Sequence, residues 1–319
     1  MNKLFTLKDI STYRSELMGW AILWIMMLHF SFTQIKPLGF IAQYGFAGVE
    51  IFMLVSGFGL FYSLDKNNKL SHFYRKRLLR IFPTYYILGI FASILLYHDT
   101  IITYFFRYST IGFWTGNVYG EWYIPSIVIL YLLAPFLKKL FDHKCFFLII
   151  SASCICLLAS FFLISNNYIT KGEPHFFLLY RIPSFLFGMA CAYWINKGIS
   201  EKYYYLFLIA GIPFFIIMFP RHHEIYNFKY FSLLFLLPLF TISFTSISKL
   251  ISPINPIISI IGKASLEIYI IQGLFFHAIV TGLIKIPMDY HDIICVFLIS
   301  ISSLLGITFH WLMGKTGIT

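Results

Sequence analysis

Apolar stretches long enough to cross a membrane recur along the whole chain. A transmembrane helix needs about 20 predominantly apolar residues. Such stretches occur at 17–35, 44–63, 78–97, 121–141, 145–165, 176–196, 203–220, 229–247, 257–284 and 292–313. Of the 319 residues, 12% are charged, about half the fraction in an ordinary soluble domain. The pattern predicts an all-α fold, a polytopic transmembrane helical bundle of about ten spans, with residues 1–319 forming a single domain.

The positive charge of the chain follows this topology. Lysine and arginine number 24 against 13 acidic residues, which gives a formal net charge of +11. If the N-terminus is inside, 17 of the 24 basic residues fall on the inner side, and the other seven are Lys36, Arg107, Lys171, Arg181, Arg221, Lys229 and Lys285. Basic residues collect on the cytoplasmic side of membrane proteins. We therefore expect cytoplasmic N- and C-termini and no nucleic-acid partner.

The cysteines do not point to a metal site or to disulfide bonds. All five lie within or beside apolar runs and have no zinc-like spacing: Cys145, Cys154, Cys156, Cys191 and Cys295. Paired extracytoplasmic cysteines would be expected of a disulfide framework. We expect free thiols and no bound metal.

Two ionisable residues lie at similar depth on consecutive predicted spans. An ionisable side chain inside a span is costly and is a functional candidate by default. His29 lies about six residues before the outer end of the first span, and Glu50 about six residues after the second span starts. A carboxylate at this depth could hold the imidazole in one tautomer and raise its basicity. The spacing fits His29 as a general base oriented by Glu50, and it fits a structural hydrogen-bonding histidine equally well.

Further polar residues extend this pattern toward both sides of the membrane. Glu121 and Arg181 fall in the outer third of their spans, whereas Glu267 and Gln272 lie deeper in the ninth. On the inner side, Arg77 and Arg80 are three residues apart and share a face if the segment is helical. Two guanidinium groups on one face suit a phosphorylated cytosolic ligand, although topology alone explains most basic loops.

Four separated blocks of residues along the chain form a recognisable set of motifs. The first runs from Arg14-Ser15-Glu16 to Leu28-His29, and the second is Gly48-Val49-Glu50 with Ser56-Gly57-Phe58. The third is the arginine pair with Ile81-Phe82-Pro83. The fourth comprises Glu121-Trp122-Tyr123 through Tyr131 to Pro135, then Arg181-Ile182-Pro183-Ser184-Phe185 with Gly188, and Ser265-Leu266-Glu267-Ile268-Tyr269. The order and spacing of the blocks extend over essentially the full length, and together they resemble the acyltransferase-3 family of integral membrane acyltransferases, which O-acylate bacterial surface glycans and related molecules.

The resemblance implies a multi-pass enzyme of the bacterial cytoplasmic membrane that uses acetyl-CoA, or another acyl-CoA, as donor. It implies His29 and Glu50 as catalytic residues, with Arg77 and Arg80 near the acyl-CoA. The acceptor would be a hydroxyl of a surface or lipid-linked glycan. Four residues are candidates to contact the acceptor or a developing oxyanion: Glu121, Arg181, Tyr269 and Gln272.

The chain departs from the family pattern at a few positions. Gln272 stands where many members have a histidine, and a glutamine amide can hydrogen-bond but cannot shuttle a proton near neutral pH. Glu16 replaces a frequent aspartate, and Leu17-Met18-Gly19 replaces the more usual glycine-leucine-arginine. These departures bear on the substrate and on any second acid or base group.

Two other classes of function remain open from the residues. A transporter or flippase for a lipid-linked sugar or a small anion would also place charges inside the membrane, although no internal repeat is evident. A structural partner in a glycan complex could use its basic loop to bind anionic membrane lipid. The identity of the acceptor, the acyl group and the oligomeric state cannot be read from the sequence.

Overall fold

A computed structural model describes residues 5–66, 69–115, 122–142, 158, 176–199, 201–218 and 228–317. The regular structure of these residues is helical, which confirms the predicted class. The α-helices are α1 Asp9–Thr12, α2 Arg14–Phe30, α3 Lys36–Ala42, α4 Ala47–Lys66, α5 Leu70–Ala92, α6 Ile101–Tyr108, α7 Ile111–Trp114, α8 Tyr123–Asp142, α9 Phe176–Asn196, α10 Lys202–Met218, α11 Phe228–Leu250, α12 Asn255–Lys263, α13 Ser265–Val280 and α14 His291–Lys315. A π-helical turn, Ser93–Tyr97, continues α5, and short 3₁₀ turns occupy Ser252–Ile254 and Met288–Tyr290.

Helix ends coincide with residues that suit them. Thr100 precedes α6 and accepts a hydrogen bond from the backbone N–H of Thr103 at 3.2 Å, a typical N-cap. Gly282, with φ +77°, lies just past the end of α13, where glycine takes the left-handed conformation without a steric cost. α12 ends at Lys263 and α13 begins at Ser265, so two helices occupy the predicted ninth span, 257–284.

Among the described residues, five helices are long and apolar enough to cross a membrane. They are Ala47–Lys66, Leu70–Tyr97, Tyr123–Phe141, Leu178–Asn196 and Met288–Lys315. A sixth results if Phe235–Leu250 and Ser252–Lys263 form one broken span, and Ser265–Val280 is a shorter apolar helix. The predicted span 145–165 lies outside the described residues apart from Leu158. The total of ten spans and the cytoplasmic termini stay predictions.

The chain forms two compact units, each assembled from separated segments. Unit 1 contains Met1–Leu17, Glu50–Phe73 and Ser126–Ser252. Unit 2 contains Met18–Val49, Tyr74–Pro125 and Pro253–Thr319. Cys191 in unit 1 and Cys295 in unit 2 are buried free thiols. The other three cysteines lie outside the described residues.

In unit 1, glycine residues let α4 and α9 approach closely. A Cβ atom on Gly57 would lie 2.0 Å from the carbonyl oxygen of Phe185. A Cβ atom on Gly188 would lie 2.0 Å from the carbonyl oxygen of Leu54. Membrane helices pack through such small residues because the bilayer provides no hydrophobic force between helices. The two glycines therefore fix the helix pair that carries Glu50 and its neighbours.

In unit 2, the start of α14 holds the chain that follows α2. The carboxylate of Asp292 accepts three backbone hydrogen bonds, from Thr33 at 2.8 Å, Gln34 at 3.0 Å and Ile35 at 2.6 Å. The thiol of Cys295 donates to the carbonyl oxygen of Phe30 at 2.9 Å. These contacts anchor the end of the helix that carries His29.

Candidate active site

His29 lies in the last turn of α2 and contacts two residues of α13. Its Nδ1 atom lies 2.7 Å from Oε1 of Gln272. Its ring stacks on Phe276, with ring centroids 4.8 Å apart and an angle of 27° between the planes. Gln272 and Phe276 are four residues apart, so they share one face of α13. The imidazole is thus held by one hydrogen bond and one ring contact.

The hydrogen bond at Nδ1 fixes the tautomer of His29. The side-chain Nε2 of Gln272 donates to the carbonyl oxygen of Tyr269 at 3.2 Å, which turns the amide oxygen toward the imidazole. An amide oxygen only accepts hydrogen bonds, so Nδ1 of His29 carries the proton and Nε2 has the lone pair. An imidazole in this tautomer can take a proton at Nε2. This arrangement would allow His29 to act as a general base, and that role stays a prediction.

Gln272 thus supplies a hydrogen bond that orients His29, and the orienting role of Glu50 stays a prediction. Gln272 is buried, with 1% of its surface exposed. A histidine at this position could accept from Nδ1 as well, but its own tautomer would have to be specified. The ring centroid of Tyr269, whose carbonyl oxygen accepts from Gln272, lies 5.4 Å from the ring centroid of Tyr123.

Glu50 lies in unit 1, where its carboxylate accepts from two residues of α9. Arg181 donates from Nη1 to Oε1, and the hydroxyl of Ser184 donates to Oε2. Glu50 is fully buried and Arg181 is 2% exposed. A buried carboxylate is tolerated only when it is paired and hydrogen-bonded. The structure thus joins two of the predicted site residues, Glu50 and Arg181, in one ionic contact.

Arg80 of α5 belongs to an ionic cluster with Glu267 and His310. Its guanidinium donates to both carboxylate oxygens of Glu267, at 2.6 and 3.3 Å, and to the carbonyl oxygen of Lys263 at 3.1 Å. Nδ1 of His310 lies 3.2 Å from Oε1 of Glu267. Glu267 is fully buried, whereas the Arg80 side chain is 33% exposed. The arginine is therefore fixed in direction and still reaches the surface.

Arg77 and Arg80 share a continuous helix, as the spacing of the two residues suggested. α5 begins at Leu70, well before the predicted span at 78–97, so residues 70–80, which include both arginines, are helical and not a loop. Both arginines are half-buried, and Pro83 lies inside the same helix. The pair consequently projects from one side of α5.

Glu121 lies outside the described residues, so its predicted contact stays a prediction. Ser184 and His310 were not singled out by the sequence reasoning. Ser184 is three residues after Arg181 and shares its helix face. His310 is an ionisable residue within the last apolar stretch, which is itself a signal of function.

A second polar cluster occupies the region where α5 ends. Asp99 accepts from Arg107 at 2.9 and 3.0 Å and from the hydroxyl of Ser93 at 2.8 Å. Burial alone would raise the pKa of Asp99, but the hydrogen bonds from Arg107 and Ser93 outweigh it and lower the pKa below the usual value. The guanidinium of Arg107 lies 4.1 Å from the ring centroid of Tyr97, and that ring lies 4.8 Å from the ring of His277.

Within the described part of the chain, no group of three or more histidine, cysteine, aspartate or glutamate residues could hold a metal ion. The chemistry open to these residues is proton transfer at His29 and recognition of an anion near α5.

Comparison with known proteins identifies a family and one relative. Residues 17–312 match the family model of an acyltransferase domain, the acyltransferase-3 family. A protein named "Putative acetyltransferase ORF330" from Acidianus two-tailed virus is 30% identical over 187 residues, which are 54% of this chain and 52% of that protein. The chain thus matches about half the length of this relative. No solved structure matches the chain.

The family match covers nearly the whole chain and all of the blocks that carry the resemblance except the start of the first. It supports acyl transfer over the transporter and scaffold alternatives. With its several apolar helices, the protein is a membrane protein, and the chain belongs to the acyltransferase-3 family of acyl-transferring enzymes.

Proposed function

We propose that the protein transfers an acetyl group, or another acyl group, from cytosolic acyl-CoA to a hydroxyl of an extracytoplasmic or membrane-associated glycan. The observation that carries this proposal is the hydrogen bond from His29 Nδ1 to Gln272. It leaves Nε2 as the basic atom of an oriented imidazole within an acyltransferase domain.

In the proposed reaction, His29 is the general base. Nε2 takes the proton of the acceptor hydroxyl as the hydroxyl oxygen attacks the thioester carbonyl carbon. The new C–O bond forms, the C–S bond breaks, and the proton passes from His29 to the sulfur of the leaving coenzyme A. In an alternative route, Nε2 of His29 attacks the thioester carbonyl carbon, a C–N bond forms, and the C–S bond breaks to release the thiolate of coenzyme A. The acceptor oxygen then attacks the acyl carbon, the C–N bond breaks, and the hydroxyl proton passes to the thiolate.

Arg77 and Arg80 would bind the phosphates of the acyl-CoA donor. The ion pair with Glu267 supports this role for Arg80, because it holds the guanidinium in one direction while a third of the side chain stays exposed. A preorganised guanidinium loses less entropy when it binds a phosphate. Cytosolic acyl-CoA would then enter at the end of α5 that begins with Leu70.

The remaining site residues would act on the acceptor or on the developing negative charge. Arg181 donates to the carboxylate of Glu50, which also accepts from Ser184, and a guanidinium held in one direction in this way suits an oxyanion. Tyr269 and Glu121 would contact the acceptor, and Gln272 would act through His29. Membership of the acyltransferase-3 family supports a location in the bacterial cytoplasmic membrane.

The test is transfer of labelled acetyl groups from acetyl-CoA to glycan in membranes that contain the full chain. His29→Ala should lower the rate at least about 100-fold, because general bases contribute about 10²- to 10⁴-fold. His72→Ala is the matched control, since His72 is an exposed histidine at the start of α5. Transfer by His29→Ala at the normal rate would refute the base assignment.

A further inference from the structure

The hydrocarbon region of the membrane can be located on α5 from the charges and the length of the helix. α5 and its π-helical continuation run from Leu70 to Tyr97. Arg80 is the last basic residue of this helix, and Tyr97 lies 17 residues beyond it, a rise of about 26 Å at 1.5 Å per residue. A hydrocarbon core is about 30 Å thick. The helix therefore needs all of its residues after Arg80 to cross, and Tyr97 marks the outer boundary.

α6 lies beside α5 well below this boundary. The hydroxyl of Tyr104 donates to the backbone carbonyl oxygen of Tyr86 at 2.8 Å. The ring centroid of Tyr108 lies 4.8 Å from that of Tyr85, and a Cβ atom on Gly89 would lie 2.5 Å from Cε1 of Tyr108. These α5 residues lie 8 to 12 positions before its outer end, or about 12–18 Å below it. Both tyrosines of α6 thus contact α5 at a depth within the membrane.

The remaining face of α6 is apolar and exposed. Ile101, Ile102 and Phe105 are 77%, 82% and 61% exposed. At similar depth, α5 exposes Ile90 at 47% and Ile94 at 65%, as a membrane span does toward lipid. Contiguous apolar surface of this kind marks a site of interaction with a membrane or a partner. Because both helices expose it at the depth of the hydrocarbon core, acyl chains are the partner that fits.

Polar side chains at the C-terminal end of α6 are hydrogen-bonded within the protein, as hydrocarbon requires. The guanidinium of Arg107 donates to both carboxylate oxygens of Asp99, at 2.9 and 3.0 Å, and lies 4.1 Å from the ring centroid of Tyr97. Long arginine side chains inside a membrane extend toward its polar boundary in this way. The hydroxyl of Ser109 donates to the carbonyl oxygen of Phe106 at 3.0 Å. The charge of Arg107 is therefore compatible with an embedded helix.

We propose that α6 is a re-entrant helix that enters the outer half of the membrane and binds the acyl chains of outer-leaflet lipids through Ile101, Ile102 and Phe105. The segment between the third and fourth predicted spans is then partly embedded. Arg107, which the sequence places among the outer basic residues, becomes an intramembrane group. The inference does not depend on the proposed acyl donor or acceptor.

This position of α6 connects the lipid to the helix that carries the partner of His29. The ring of Tyr97, on which the guanidinium of Arg107 lies, has its centroid 4.8 Å from that of His277. His277 lies five residues after Gln272 on α13. The embedded helix thus supports the outer end of α13, beyond the residue that orients His29.

Spin-label depth measurements test the position of α6 in the full chain, in nanodiscs of phosphatidylethanolamine and phosphatidylglycerol. The label is attached through p-azidophenylalanine, which leaves the native cysteines in place, at one of four exposed positions: Ile102, Phe105, Ile90 or Lys285. Ile90 is the reference for the lipid-facing surface of α5, and Lys285, beyond the end of α13, is the reference for the outer surface. Power saturation compares accessibility to oxygen, which concentrates in hydrocarbon, with accessibility to a water-soluble nickel chelate.

The oxygen-to-nickel ratio has a different value for each position of α6. At Ile102 and Phe105 it should be about tenfold higher than at Lys285 and within about twofold of Ile90, because both labels lie in hydrocarbon. A ratio at both positions as low as that at Lys285 would place α6 in water and overturn the inference. Low accessibility to both reagents would mean that protein covers this face, which would overturn the assignment to lipid.

A matched pair of glycine variants tests the packing of α6 on α5. In Gly89→Leu, the new side chain occupies the space of the Tyr108 ring, so α6 should move outward and the ratio at Phe105 should fall at least about threefold. Gly314→Leu adds the same side chain where a Cβ atom has no neighbour within 4 Å, and should leave the ratio unchanged. An unchanged ratio in folded Gly89→Leu would overturn the packing at this depth. Size-exclusion chromatography identifies a variant that fails to fold, and the four label positions then decide.

Discussion

Replacing Gln272 by methionine should slow acyl transfer without weakening donor binding. Methionine keeps the approximate size of the side chain but removes the amide oxygen that lies 2.7 Å from Nδ1 of His29. Leaving a buried donor unsatisfied costs about 1–3 kcal/mol. If the whole cost falls on the transition state and not on the ground state, the rate falls about 5- to 160-fold, since 1.36 kcal/mol corresponds to a factor of ten. The measurement is kcat and KM for acetyl-CoA in membranes or nanodiscs.

A second substitution separates orientation from packing. Gln272→Glu keeps an acceptor for Nδ1, so it should retain more activity than Gln272→Met, whereas a role limited to packing would favour the apolar methionine. KM for acetyl-CoA should change less than threefold in both variants, because Gln272 is not assigned to the donor. A normal kcat for Gln272→Met would refute the assignment of the tautomer and the role derived from it.

Three further predictions concern the ionic contacts and the helix packing. Glu267→Gln weakens the ionic contact that directs Arg80, so KM for acetyl-CoA should rise about tenfold, with a smaller change in kcat, in a steady-state titration. An unchanged KM would show that the cluster of Arg80, Glu267 and His310 does not contribute to donor binding. Gly188→Val places side-chain atoms against the backbone of Leu54, and overpacking of about 1–3 kcal/mol should lower the midpoint of thermal unfolding in detergent. Because the pKa of Asp99 is lowered by folding, its carboxylate stabilises the protein above the ordinary value of 3.8 and loses this effect as the pH falls through the lowered pKa. The midpoint of thermal unfolding of Asp99→Asn should therefore lie below that of wild type at pH 6, and the two midpoints should converge in acid.

Much of the architecture could be predicted because the bilayer imposes a simple rule on the sequence. Apolar stretches of spanning length must form helices, since unpaired backbone groups are not tolerated in hydrocarbon. The helical class and the positions of α4, α5, α8, α9 and α14 follow from that rule. The same physics does not specify where a helix breaks, and α12 and α13 are separated within one predicted span.

The partners of the site residues were harder to predict than the residues themselves. Depth along the spans placed His29 and Glu50 at one level, but it contains no information about the rotation of each helix. In the structure, His29 contacts Gln272, and Glu50 contacts Arg181. These pairs join residues 243 and 131 positions apart, and neither pair leaves a local pattern in the sequence. Glu50 as a catalytic residue stays a prediction.

The three hydrogen bonds to Asp292 bear on the order in which this chain matures during synthesis. Thr33, Gln34 and Ile35 leave the ribosome more than 250 residues before their acceptor does. Contacts of such long sequence separation form late and slowly. Until α14 is inserted, the end of the helix that carries His29 has no anchor on that side. Nascent chains that stop before Asp292 should therefore be inactive and should present the 33–35 segment to proteases and quality control.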